Sequence, residues 1–158
     1  SYYMLHYYKL FWINALNIKG RSRRKEYWYP FLMTVIISVI ASILNDVLPV
    51  PHILAEIIYW VFNIATIVAT FTVMVRRLHD IGMSMLLPLI IHLTPLVFLL
   101  TGSIITLINP QMNFSVGSSL VLIAGSLLYL VVSIIVLVIC CTEGHKDENK
   151  YGINPKTS

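Results

Sequence analysis

The sequence predicts an all-α, multi-pass membrane protein: four transmembrane helices in a compact bundle, preceded by an N-terminal interfacial amphipathic helix. Three observations predict it. Hydrophobic residues make up 58% of the chain and charged residues 11%, too little polar material to coat a surface facing water. Four windows, 29–48, 54–75, 85–108 and 119–141, have the length of about 20 apolar residues needed to cross a bilayer core. All 11 Lys and Arg residues fall on one side of those windows. Six of them (Lys9, Lys19, Arg21, Arg23, Arg24 and Lys25) precede the first window. Arg76 and Arg77 follow the second, and Lys146, Lys150 and Lys156 follow the fourth. The positive-inside rule then puts both termini and the second connection in the cytoplasm of a bacterial inner membrane.

The opening segment, 2–17, crowds Tyr2, Tyr3, Tyr7, Tyr8, Phe11 and Trp12 into a stretch too short to span. It reads as an interfacial helix with Leu5, Tyr8, Trp12, Ala15 and Leu16 on one face, because aromatic rings favour the headgroup level. It lacks the basic region and small-residue cleavage site of a secretory signal, so no cleavage is expected there. Gly20 permits a turn and Ser22 is the expected N-cap of the helix running into span one. Pro49 and Pro51 punctuate the first hairpin, Asn109-Pro110 closes the third span, and Gly117-Ser118-Ser119 opens the fourth. Residues 142–158 form a cytoplasmic tail. No linker or low-complexity tract divides the chain, which reads as a single membrane domain, 1–158.

Within the spans, polar residues recur at seven-residue intervals: Glu56, Asn63, Thr70 and Arg77 in the second, and Ser119, Ser126, Ser133 and Cys140 in the fourth. Such stripes are expected to face other helices and to hydrogen-bond across them. His92, between Pro88 and Pro95, reads as a structural histidine bonded to a backbone carbonyl rather than a proton relay. Cys140-Cys141 is expected to pack as small apolar side chains, since Cys-Cys-x3-His is not a metal-ligand spacing and the compartment is reducing.

The chemistry-bearing residues gather in three segments on the basic side. Arg21, Arg23, Glu26 and Trp28 precede span one; Arg76, Arg77, His79 and Asp80 join spans two and three; Glu143 and Asn149 lie in the tail. Four arginines in two short segments need acids nearby, and Glu26, Asp80 and Glu143 are the candidates. These ten residues are therefore expected to converge on one polar cluster centred on His79 and Asp80. At Gly20-Arg21-Ser22-Arg23 leading to Glu26-Tyr27-Trp28, at Arg76-Arg77-Leu78-His79-Asp80-Ile81-Gly82, and at Asn149-Lys150-Tyr151-Gly152-Ile153-Asn154-Pro155, the chain resembles small bacterial inner-membrane proteins of domain-of-unknown-function family 805. That pattern usually continues after Asp-Ile-Gly with a basic residue and Ser-Gly-Trp; Met83-Ser84-Met85-Leu86 keeps only the Ser. The resemblance implies no activity.

No nucleophile elbow, phosphate loop or zinc-protease motif is present, and no catalytic, cofactor or metal residue is assigned. His79-Asp80-Ile81-Gly82 looks like a metal-phosphohydrolase signature, but the further ligands such a site needs are missing. The basic pI needs no nucleic acid, since topology accounts for it. The favoured reading is a non-enzymatic module whose cluster binds anionic lipid headgroups or a protein partner, with homo-oligomers possible. The alternatives are a small transporter or channel subunit using Glu56, Asn63 or His92, and an interface enzyme on a lipid-linked phosphate using His79, Asp80 and Glu26.

Overall fold

The structure, a computed structural model, describes residues 2–157; Ser1 and Ser158, which end the expected domain, lie outside the described residues. Five helices follow in order: α1 (Tyr2–Ile13), α2 (Arg24–Val47), α3 (His52–Asp80), α4 (Leu86–Ile108) and α5 (Val116–Cys141). The last four are long and apolar enough to cross a membrane. Helices α2 and α3 run past their apolar windows into charged sequence. Backbone hydrogen bonding continues until a cap stops it, whatever the surrounding solvent.

Residues up to Ser84 and from Thr142 onward form one compact unit, and Met85–Cys141 forms a second. In the first, α1 lies against α2: Tyr7 stacks on Tyr29 with ring centroids 5.5 Å apart, and Trp12 reaches Phe62 of α3 at 6.2 Å. The buried positions of α1 are Tyr7 and Phe11, whereas Leu5 and Leu16 are exposed. The helix ends at Ile13, before Ala15 and Leu16, so the face expected from spacing is not the packed one. The i, i+4 pair Tyr7 and Phe11 is buried instead, with Tyr7 stacked on α2.

The core of this unit sits at the charged end. Every residue of α3 from Thr72 to Asp80 is buried, while Ile57, Tyr59, Trp60, Val61 and Ile64 are exposed, as a lipid-facing segment requires. Helix α3 ends in a Schellman motif. Met83 N–H donates to Leu78 O (2.9 Å) and Gly82 N–H to His79 O (3.0 Å), with Gly82 at φ +82°, where a side chain would be strained.

In the second unit, Pro95 lacks the N–H that would bond to the carbonyl of Ile91, and Tyr129 Oη of α5 donates to that oxygen at 2.7 Å. A broken helical bond becomes an interhelical one. The other polar side chains turn back onto their own helices. Ser103 donates to Leu99 O, Ser126 to Leu122 O, Ser133 to Tyr129 O, and His92 Nδ1 lies 2.9 Å from Pro88 O; in α3, Asn63 donates to Tyr59 O. For these residues the i−4 carbonyl, always within reach of a short polar side chain, takes the bond expected to run across helices. Along the stripe of α5, Ser119 and Ser133 are half-buried and Cys140 is buried, while Ser126 alone of the four is exposed.

Candidate functional site

The structure brings the three charged segments together at one end of the first unit, with Asp80 at the centre. Arg21 Nε donates to Asp80 Oδ1 at 2.8 Å and Arg77 Nη1 to Asp80 Oδ2 at 2.6 Å. The Arg21 and Arg77 side chains are 1% and 0% exposed and that of Asp80 6%. Two guanidiniums thus share one carboxylate in a dry site. Further donors go to carbonyls: Arg21 to His145, Asp147 and Gly152, and Arg77 to Ser22 and Thr142. The planar guanidinium suits this use, having five donors in a fixed fork.

Arg76 serves a different junction. Its Nε donates to Ser22 Oγ (3.0 Å) and its Nη1 to the carbonyls of Asn14 and Asn17, so it caps the chain leaving α1. Ser22 N–H returns a bond to Arg76 O at 3.0 Å. Ser22 is therefore not the N-cap; Arg23 is, and its N–H is bonded by Glu26 Oε1 at 3.2 Å. The arginine has recruited the serine hydroxyl. Thr72 Oγ1 adds a bond to Ala15 O at 2.9 Å, which fixes the same turn to α3.

The tail folds back over these residues. His145 N–H donates to Asp80 O at 2.8 Å and Arg23 Nε to Pro155 O at 2.8 Å. Asn149 Nδ2 donates to His79 O at 2.9 Å, while its Oδ1 accepts from Tyr151 N–H. The His79 ring stacks on Tyr151 with centroids 3.8 Å apart and planes 7° off parallel, and its Nδ1 is 3.0 Å from Gly20 O. Gly144 lies directly on Asp80: a Cβ there would sit 1.8 Å from Asp80 Oδ2. Only glycine lets the tail approach the carboxylate.

Arg21, Arg23, Arg76, Arg77, His79, Asp80 and Asn149 are thus joined as the sequence led us to expect. Three expected members stand apart from the charge pairs. Trp28 packs its ring edge-on to Tyr27 at 5.0 Å, Glu26 caps α2, and Glu143 lies exposed with Lys156 Nζ 3.2 Å away. The hydrogen bond from Lys156 holds the Glu143 carboxyl below its usual range, helped by the charges of Lys156, Lys146 and Arg24. Of the three acids expected to balance the arginines, Asp80 pairs with Arg21 and Arg77 directly, Glu26 acts on Arg76 and Glu143 on Arg24 through charge, and backbone carbonyls accept the other bonds described above. Sequence reasoning missed Gly144, Ser22 and Tyr151. The signal available was the shortfall of acids, which required carbonyl acceptors and therefore a closely approaching chain.

Outside this lock, Arg23, Arg24, Lys25 and Lys156 line a cleft of about 220 Å³. Among the described residues, no group of three or more His, Cys, Asp and Glu is placed to hold a metal ion.

Residues 15–153 match the family described as Protein of unknown function (DUF805). Inner membrane protein YhaI of Escherichia coli strain K12 is 26% identical over 146 residues, 90% of this chain and 89% of YhaI. Inner membrane protein YhaH of the same strain is 32% identical over 72 residues, 45% of this chain and 60% of YhaH. No solved structure matches the chain.

Proposed function

Since the chain belongs to the DUF805 family of membrane proteins, which brings no reaction with it, we propose that it is a non-enzymatic inner-membrane module that binds anionic lipid headgroups at its basic end. Both termini face the cytoplasm in this reading. The observation that carries it is a division of labour among the cations. The buried Arg21, Arg76 and Arg77 have donors bonded inside the fold, whereas Lys19, Arg24, Lys25, Lys146, Lys150 and Lys156 are exposed around that lock. The lock holds the exposed cations where the spans leave the bilayer. A cytoplasmic leaflet rich in anionic lipid attracts such residues by about 1 kcal/mol each.

The state of the other groups supports the same reading. The carboxylate of Asp80 is shared by two guanidiniums and the His79 ring is covered by Tyr151, which leaves neither poised as an acid or base on a substrate. Of Glu56, Asn63 and His92, the candidates for a conduction path, Asn63 and His92 bond to carbonyls of their own helices.

Thermal unfolding of the protein reconstituted in phosphatidylcholine vesicles, with and without one-fifth phosphatidylglycerol, tests it. The expected result is a higher Tm with the anionic lipid, an advantage that fades as salt is raised. Equal Tm in both vesicles at low salt would remove the reading.

A further inference from the structure

We infer that the cleft between the start of α2 and the tail, lined by Arg23, Arg24, Lys25 and Lys156, is a binding site for one phosphate group. The inference rests on the lipid-binding reading above and names where on the basic end a headgroup would be held.

Three features of the cleft carry it. It is a cavity of about 220 Å³ built only from cationic residues of two segments far apart in sequence. The tail brings them together, since Arg23 Nε donates to Pro155 O and Lys156 follows directly. A carbonyl orients a guanidinium without neutralising its charge. The carboxylates at its edges are Glu26, bonded to Arg23 N–H, and Glu143, bonded to Lys156. Four cations thus meet two carboxylates, which leaves an excess matching the one or two negative charges of a phosphodiester or phosphomonoester.

Glu143 is the internal competitor. It takes Lys156 at 3.2 Å from an exposed position, the two side chains being 58% and 47% accessible. A pair so open to water contributes little, and a phosphate entering among four cations, where Glu143 takes only Lys156, exchanges with it. Arg23, fixed on the tail, gives one rigid donor, and the exposed Lys25, with its Nζ over the Tyr3 ring at 5.9 Å, and Lys156, paired with Glu143, give two adjustable ones. The shared chemistry is a phosphate, carried by a lipid headgroup or free in solution.

The full chain in a neutral maltoside detergent is titrated with dihexanoyl-phosphatidylglycerol, dihexanoyl-phosphatidylcholine and inorganic phosphate, with thermal shift as the readout. We expect saturable stabilisation by the phosphatidylglycerol and not by the phosphatidylcholine. Lys25→Gln and Lys156→Gln should each weaken that affinity about fivefold, and Glu143→Gln should strengthen it about twofold. Lys9→Gln, exposed on α1 outside the cleft, should leave it unchanged. These positions are exposed, so loss of binding does not reflect failure to fold.

If phosphatidylglycerol binds but Lys25→Gln and Lys156→Gln do not weaken it, or Lys9→Gln weakens it equally, the cleft is overturned while lipid binding stands. If inorganic phosphate binds with the Lys25 and Lys156 dependence and phosphatidylglycerol gains nothing over phosphatidylcholine, the cleft stands as a free-phosphate site and the lipid reading falls. Binding of neither overturns both.

Discussion

Asp80 shows how much one residue can hold in a chain with few charges. Its two oxygens take Arg21 and Arg77, whose side chains have essentially no contact with water. Asp80→Ala strands two buried cations and is expected to cost about 3 kcal/mol or more in unfolding free energy, read from denaturant titration in detergent. In a double-mutant cycle, Asp80 and Arg77 should couple strongly, while the exposed Glu143 and Lys156 should be nearly additive; coupling near zero for Asp80 and Arg77 would mean that the lock is not a unit. Gly144→Ala should be nearly as damaging as Asp80→Ala, since its methyl group would collide with the carboxylate. Full stability of that variant would contradict the close approach. For Glu143 the folded pKa lies below the unfolded one. Its pair with Lys156 therefore contributes at neutral pH, and the contribution is lost as pH falls through the carboxylate range.

At the scale of the elements, Asn63, His92, Ser103, Ser126 and Ser133 bond to carbonyls of their own helices, whereas Tyr129 reaches across to α4. Ser126→Leu is expected to be tolerated, since Ser126 is exposed and bonds only to Leu122 O. Tyr129→Phe is the informative change in the second unit. It leaves the Ile91 carbonyl, already without its helical donor because of Pro95, with nothing from α5. A loss of about 1 kcal/mol is expected for Tyr129→Phe and none for Ser126→Leu, measured by thermal unfolding in one detergent. The tail is the other element with a large role, because its carbonyls solvate Arg21 and Arg77. Truncation after Cys141 should destabilise the first unit strongly, because it removes those carbonyls together with the Tyr151 ring stacked on His79.

For the whole molecule, the proposed orientation is open to impermeant thiol labelling in intact cells after Cys140 and Cys141 are replaced. Cysteines at Lys19 and Lys156 should resist and those at Pro51 and Asn113 should react; the reverse pattern would invert the topology. Arg77 is unsuitable as a reporter, since it is fully buried and would resist from either side. The charge bias behind this prediction has two physical sources. Part of it is exposed lysine facing the headgroup layer, and part is arginine sequestered in hydrogen bonds.

The sequence by itself determined the four spans, because length and hydropathy are local quantities set by the thickness of hydrocarbon to be crossed. It also determined that the three charged segments meet, because arginines at the ends of short connections cannot remain unbalanced. Which groups balance them was decided only by the tertiary structure. Backbone carbonyls carry no mark in the sequence, and those of His145, Asp147, Gly152, Thr142, Asn14 and Asn17 become ligands only once the tail and the turn after α1 are folded against α3. The packed faces were undetermined for a related reason. In a chain that is apolar nearly all round, periodicity does not separate a face that meets lipid from one that meets protein, and three-dimensional contact alone makes that choice.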